Sequence, residues 1–368
     1  MKPISNPEVS VIVPARNEEA CLADCLRSLL AQNGPSYEVI LVDDDSTDRT
    51  RSIAESFPVR VVAANSASPA TPAVGLDGVK DSLPAGWSGK CHAAWTGAQA
   101  AKGKWLLFTD ADTKHKPDSI ASGLREALEC GAGLLSYSPK QEVYSLAERA
   151  LMPVIFAELA ATYRPKDVCD PTSPTAAANG QYLLIRRDVY DAIGGHAAVA
   201  MAILEDVELA KRVKRAGYKL QFRWSDVVAT RMYRSFPQMW EGWTKNLALL
   251  FPQPGKLAFA RLAEFLAIAG CVALAAWKAA MGERAMAVVG TTFALLLWAG
   301  FIQRIRRAHF DWRSNLIAVF GLPLFAILLH NSNISHRRGE VSWKGRKYRA
   351  AKQEQDCESP RARSVRAN

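Results

Sequence analysis

Blocks of apolar and polar positions organise the first 250 residues. Val9-Ser10-Val11-Ile12-Val13 ends at Pro14 and reads as a buried strand, followed by an amphipathic helix over Glu18 to Gln32 with Leu22, Leu26, Leu29 and Leu30 on one side. Tyr37 to Val42 predicts a second strand, Ser46 to Phe57 a helix, and Val59 to Ala63 a third strand. Asn65 to Gly86, rich in Ala, Pro, Ser and Gly, reads as a loop. A helix over His92 to Ala101, a strand over Trp105 to Thr109 and a helix over Ser119 to Cys130 come next. Strands alternating with helices at this spacing predict a parallel, doubly wound sheet, whose ligands bind outside the carboxyl ends of the strands.

Leu146 to Thr162 carries an apolar stripe (Leu151, Val154, Ile155, Leu159), the pattern of an amphipathic helix packed on a core, the favoured reading, or lying on a membrane surface. Gln181 to Arg186 reads as a strand, Glu205 to Ala216 as a helix closed by Gly217, and Leu220 to Trp224 and Val227 to Arg231 as two more strands. Beyond residue 250 the periodicity gives way to continuous apolar runs. Leu262 to Trp277 is interrupted only by Glu264, Ala285 to Ile302 has no charge in 18 residues, and Leu316 to Leu329 is 14 residues long with Pro323 inside. A membrane-crossing helix needs about 17 to 25 residues, so the second run suffices, the first fits with its ends included, and the third is short. The expected organisation is a catalytic domain over 1–250, membrane-associated helices over 251–335 and a basic tail over 336–368, disordered after Ala350.

The charge of +10 sharpens this picture. His336 to Asn368 holds ten Lys/Arg against four Asp/Glu, a net +6, and Gln303 to Asn315 holds four Arg against one Asp, a net +3. Basic clusters beside apolar runs read as cytoplasmic flanks drawn to anionic lipid. A nucleic-acid partner, which needs a basic face on a folded domain, is not expected. Met1 to Val13 lacks the pattern of a secretory signal, which puts the first 250 residues in the cytoplasm of a multi-pass protein of the cell (inner) membrane. The seven cysteines include no C-x-x-C pair and the six histidines no metal spacing, which fits reduced thiols and argues against zinc.

The candidate chemistry lies at the strand ends. Thr109-Asp110-Ala111-Asp112 follows the apolar run Trp105 to Phe108, and Asp43 and Asp44 end the second strand. Mg²⁺ or Mn²⁺ is typically held by one or two carboxylates plus substrate phosphates, so Asp110 and Asp112 suit a metal carrying a diphosphate. For a lone D-x-D, a loop capping the next helix is the better reading, and the rest of the chain decides. No glycine-rich phosphate cradle follows the first strand; Pro14-Ala15-Arg16-Asn17 stands there instead.

V-I-V-P-A-R-N-E-E, V-D-D-D-S-T-D-R-T, F-T-D-A-D-T and I-L-E-D-V-E-L-A, in this order, resemble family 2 glycosyltransferases. G-W-S-G-K-C-H-A, N-G-Q-Y-L-L-I-R-R and R-M-Y-R-S-F-P-Q-M-W-E-G-W-T-K-N are similar to membrane members linked with hopanoid and carotenoid glycosylation, and S-W-K-G-R-K-Y to tails of lipid glycosyltransferases including ceramide glucosyltransferases. The resemblance implies a GT-A-type doubly wound mixed sheet and inverting transfer from a nucleotide-sugar, a UDP-sugar, to a hydroxyl of a membrane lipid. It implies Pro14, Ala15, Glu18 and Asp43 or Asp44 at the uridine end, Lys90 at the diphosphate, Asp112 and Asp110 at the metal, and Asp206 as base beside Glu205. Gln181, Trp240 and Trp243 are its acceptor-side candidates, the tryptophans serving either as sugar platforms or as interfacial anchors. The chain departs from the family's Q-x-x-R-W pattern, having Gln238-Met239-Trp240-Glu241 with no arginine, which argues against processive polymer synthesis. His196 reads as a satisfied loop histidine. A sugar nucleotidylyltransferase and an inactive nucleotide-sugar-binding protein are the alternatives.

Three full crossings would leave the +6 tail outside, against the preference of positive residues for the cytoplasmic side. Leu316 to Leu329 is therefore expected not to cross, and Trp343 to Tyr348 to lie in the cytoplasm beside the donor crevice, with Lys344, Arg346 and Lys347 toward lipid head groups.

Overall fold

The computed structural model describes residues 6–64 and 83–343, and the backbone of 346–348. Most of the loop expected over Asn65 to Gly86, the tail after Ala350, and the side chains of Lys344, Arg346 and Lys347 lie outside the described residues.

Eight strands form one sheet: β1 (Val9–Ala15), β2 (Tyr37–Asp43), β3 (Arg60–Ala63), β4 (Trp105–Phe108), β5 (Thr113–His115), β6 (Leu134–Gln141), β7 (Leu183–Arg186) and β8 (Leu220–Thr230). Their order is β3-β2-β1-β4-β7-β6-β8-β5. The first four pair in parallel, as expected, but β7 runs antiparallel to both β4 and β6, so the sheet is mixed. Alternation along the strands splits the core in two. Ile12, Ile40, Val42, Leu106 and Phe108 face one side; Val11, Val13, Leu41 and Leu107 face the other. Truncating any of these to alanine costs about 2 to 5 kcal/mol.

Helices α1 (Leu22–Leu30), α2 (Thr50–Glu55), α3 (Gly89–Ala100), α4 (Ser119–Cys130) and α5 (Leu146–Thr162) follow the expected pattern within a few residues. Then come α6 (Pro165–Cys169), α7 (Arg187–Ala192), α8 (Glu205–Arg215) and α9 (Phe236–Asn246). In α3, a side chain at Gly97 would overlap Ile12, so the glycine lets the helix that carries Lys90 sit directly on β1.

Three helical stretches among the described residues are long and apolar enough to cross a membrane: Pro254–Ala280, Arg284–Ala308 and Trp312–Arg338. The first is α10, and the second consists of α11 (Arg284–Ile305) and a 3-10 turn. These two form a close hairpin in which a Cβ at Gly290 would lie 3.1 Å from Ala275 Cβ. The third, α12 (Trp312–Ile317), a 3-10 turn and α13 (Gly321–Arg338), runs longer than the 14 residues expected. The apolar count stops at Leu329, but the helix continues because its polar end docks on α9. Ser332 Oγ donates to the Thr244 carbonyl at 2.7 Å, Asn331 Nδ2 to Thr244 Oγ1 at 3.1 Å, and His336 Nε2 to the Lys245 carbonyl at 2.7 Å. At its other end α13 touches α5, where a side chain at Gly321 would overlap the Ala150 carbonyl oxygen. The third stretch is accordingly 44% buried over its most apolar window, against 11% and 17% for the hairpin helices.

An ion-pair network ties the hairpin to the domain. Glu158 of α5 lies 3.1 Å from Arg261 and 3.2 Å from Arg304, and Glu264 lies 2.6 and 2.7 Å from the same two guanidiniums. Four half-buried or buried charges thus cancel within the apolar helices.

Candidate active site

The turns after β1 and β2 hold each other. Thr47 N–H donates to Asn17 Oδ1, Asn17 N–H to Ser46 Oγ, Glu18 N–H to Thr50 Oγ1 and Arg16 Nη1 to the Asp44 carbonyl. Asn17 (φ 54°) and Asp45 (φ 58°) adopt the left-handed region, which asparagine and aspartate tolerate best among side-chain-bearing residues. Much of the polar character of these two motifs therefore builds the rim of a crevice. Asp43 Oδ1 accepts from Ser46 N–H within its own turn, while Asp44 lines the crevice with Pro14, Ala15 and Glu18.

The D-x-D turn is closed from below. Thr113 Oγ1 donates to the Asp110 carbonyl at 2.8 Å, and Thr109 Oγ1 donates to the Gln181 carbonyl at 2.8 Å, binding the end of β4 to the start of β7. His115, held neutral by burial that pushes its pKa down to about 3, lies 3.0 Å from Thr109 Oγ1 and 3.0 Å from Ser119 Oγ. This arrangement aims Asp110 and Asp112 into the crevice, whose cavity volume is about 250 Å³.

Lys90 enters from the first turn of α3, which Ser88 caps by accepting from Cys91 N–H. Its ammonium lies 2.9 Å from Asp110 Oδ1 and 2.9 Å from Glu205 Oε1. Glu205 and Asp206 open α8, where a helix N-terminus favours carboxylates. Asp206 Oδ2 accepts from Gly180 N–H and Oδ1 from Val207 N–H, each at 2.8 Å. Burial and then the neighbouring Glu205 charge push Asp206 up to about 6. Burial pushes Glu205 the same way, but the Lys90 ammonium outweighs it and holds Glu205 below the usual carboxylate range. Lys90 is half-exposed, and the charges of Asp110, Glu205 and Asp206 outweigh its partial desolvation and keep it firmly charged.

A second cavity, of about 580 Å³, opens on the other side of Lys90 and Asp110. Glu205 and Asp206 line it together with apolar and aromatic side chains from α5, β8 and α9. Gln181 borders both cavities. Trp243 is buried, donates from Nε1 to Met152 Sδ at 3.3 Å and lines the second cavity. Trp240 packs on Phe236 and borders neither cavity. His196 is the satisfied loop histidine expected, its Nδ1 2.9 Å from Tyr190 Oη.

Two more residues face the crevice: Lys245, which sequence reasoning did not single out, and Trp343, from the stretch expected beside the donor crevice. Lys245, which burial pulls below the ordinary lysine range, lines both cavities. Trp343 of β9 (Val341–Trp343) closes one wall, 6.3 Å from Tyr233 between ring centres and 5.7 Å from the Lys245 ammonium. β9 pairs antiparallel with β10 (Arg346–Tyr348) as a hairpin.

The oxygen-only donor set suits a hard divalent cation. Among the described residues no three His, Cys, Asp or Glu side chains gather into a ready-made metal site.

Residues 7–248 match the family model described as glycosyltransferase like family 2. The 4,4'-diaponeurosporenoate glycosyltransferase of Staphylococcus aureus (strain MRSA252) is 28% identical over 371 residues, covering 94% of this chain and 89% of the relative. Among solved structures, mannosyltransferase PcManGT from Pyrobaculum calidifontis in complex with GDP-Man and Mn²⁺ is 17% identical with a TM-score of 0.49, covering 90% of this chain and 88% of the other. Glucosyl-3-phosphoglycerate synthase from Mycobacterium tuberculosis, with Mn²⁺ and UDP-glucose, is 22% identical with a TM-score of 0.44, covering 66% of this chain and 78% of the other.

Proposed function

The chain belongs to the glycosyltransferase-like family 2 and is a glycosyltransferase, and from that premise we propose that it moves a sugar from a nucleotide-sugar, a UDP-sugar, to the hydroxyl of an apolar membrane lipid with inversion at the anomeric carbon. The observation that carries this reading is the meeting of the two cavities at Lys90, which touches a D-x-D carboxylate on one side and the Glu205–Asp206 pair on the other. A polar crevice suits the donor and an apolar cavity the acceptor. The Staphylococcus relatives are named for diaponeurosporenoate, which supports a carotenoid-like acceptor.

In this reading Pro14, Ala15, Glu18 and Asp44 receive the nucleoside end, and Lys90 faces the diphosphate. Asp112 with Asp110 would hold Mg²⁺ or Mn²⁺, which when bound neutralises the leaving diphosphate. Asp206 takes the proton of the acceptor hydroxyl as its oxygen bonds to the anomeric carbon, and the carbon–phosphate oxygen bond breaks with its electron pair leaving on the nucleoside diphosphate. One base suffices for a single displacement. Glu205 holds Lys90 in place and raises the affinity of Asp206 for the proton.

The same reading assigns residues 1–250 to a cytoplasmic catalytic domain, the α10–α11 hairpin to the bilayer, and the basic tail to the cytoplasm beside anionic lipid. Contacts of α13 with α5 at one end and α9 at the other support a third stretch that lies along the domain. Membranes containing the protein, given radiolabelled nucleotide-sugars and lipid extract, test the function: label in extractable lipid supports it, and label in no lipid with any donor overturns it.

A further inference from the structure

The second cavity has a composition of its own. Phe156, Tyr163, Phe222, Trp224 and Trp243 line it, and these aromatic rings come from α5, its C-terminal cap, β8 and α9. The cavity runs from the Glu205–Asp206 carboxylates to Arg307, Ala308 and His309, where the membrane hairpin returns to the domain. At that end the His309 and Trp224 rings lie nearly parallel, with centres 4.3 Å apart and an interplanar angle of 17°. His309 is exposed and holds a left-handed backbone (φ 60°), so the ring is carried at the surface on a fixed turn.

We propose that this cavity takes the acceptor's apolar chain, that the chain enters from the membrane interface past the Trp224–His309 pair, and that the aromatic walls select a flat, conjugated chain over a flexible saturated one. The inference rests on the lipid-acceptor reading above and adds to it the cavity that holds the chain, its route of entry and the residues that choose it. Flat π-systems gain from stacking on aromatic faces beyond the area they bury, whereas a saturated chain gains burial alone and loses rotamer freedom on entering. A volume of about 580 Å³ is within the range of sites that enclose a sizeable organic ligand. The location fits the route, since a lipid reaching Asp206 from the bilayer meets the C-terminal end of α11 first.

The test uses the full-length protein in detergent, titrated into a conjugated polyene carboxylic acid while the polyene absorption shift is followed against a micelle blank. A saturated fatty acid of equal carbon number competes. Wild type binds the polyene more tightly than the competitor. Trp224→Ala and His309→Gly each weaken polyene binding about fivefold, the size of one lost aromatic contact, and weaken the saturated acid less, so the preference for the polyene narrows. His309→Gly removes the ring without straining the φ 60° backbone, and Trp224→Phe restores most of the affinity, which separates lost stacking from misfolding. In transfer assays the two variants raise the acceptor KM and leave the donor KM in place. Equal affinity for both chains, or variants that bind the polyene like wild type, overturns the inference. Trp224-dependent polyene binding by a wild type that labels no lipid would instead keep the cavity assignment and remove the lipid-acceptor reading of the function.

Discussion

The pH profile of transfer gives the sharpest test of how the carboxylates divide their roles. Asp206 is half-buried beside the like charge of Glu205, and partial burial and that charge push its proton affinity up to about 6. A base works in its ionised form, so turnover is full above that value and is lost as pH falls through it. For a single group titrating near 6, kcat drops about tenfold between pH 7 and pH 5. Glu205→Gln removes the neighbouring negative charge and leaves Lys90 with one carboxylate fewer to balance it. Both changes favour the ionised form of Asp206, so the acid limb moves to lower pH in this variant. Asp206→Asn lowers turnover about 10² to 10⁴-fold and flattens the limb, because the group that titrates is gone. The assay is kcat under saturating donor and acceptor from pH 5 to 8 for the three proteins. A limb that stays put in Glu205→Gln, or persists in Asp206→Asn, refutes the assignment.

Chelation with EDTA should abolish transfer and Mn²⁺ or Mg²⁺ restore it, and Asp112→Asn should lose donor binding and turnover together, since a diphosphate beside two carboxylates requires a cation between them; transfer unimpaired in chelator counts against this. Glu158→Ala leaves Arg261 and Arg304 without their shared buried partner and should destabilise the docked hairpin by about 3 kcal/mol, read as a lower thermal midpoint in detergent. On a background freed of native cysteines, a cysteine near Tyr348 should be protected from an impermeant maleimide in intact cells and react after lysis, while one at Met281, at the hairpin turn, should react in intact cells. Labelling at Tyr348 in intact cells would mean three crossings.

The parts of the fold written in local pattern were legible. The strand ends that carry Asp44, Asp110 and Asp112 follow short buried apolar runs, and the Glu205–Asp206 pair opens a helix whose start and Gly217 stop are both marked. Strand direction was not, because Leu183 to Ile185 is buried on both faces and such a run reads the same either way. β6 escaped notice since Leu134 to Gln141 lacks alternation, and β8 was read as two strands because the polar Ser225-Asp226 interrupts one continuous strand. The second cavity was hidden for a different reason. Phe156, Phe222, Trp243 and His309 are far apart in sequence and meet only through packing of α5, β8, α9 and the hairpin end. Asn17, Asp48 and Thr50 show the converse, motif residues whose side chains bind neighbouring turns.

The central claim, that Asp112 serves the donor and Asp206 the acceptor in two cavities that meet at Lys90, meets its most direct test in paired measurements on Asp206→Asn membranes: nucleotide-sugar binding by titration and radiolabel transfer to extractable lipid. The account predicts donor affinity within about twofold of wild type and transfer reduced at least 10²-fold. Wild-type transfer by Asp206→Asn, or loss of donor binding in step with transfer, would contradict it.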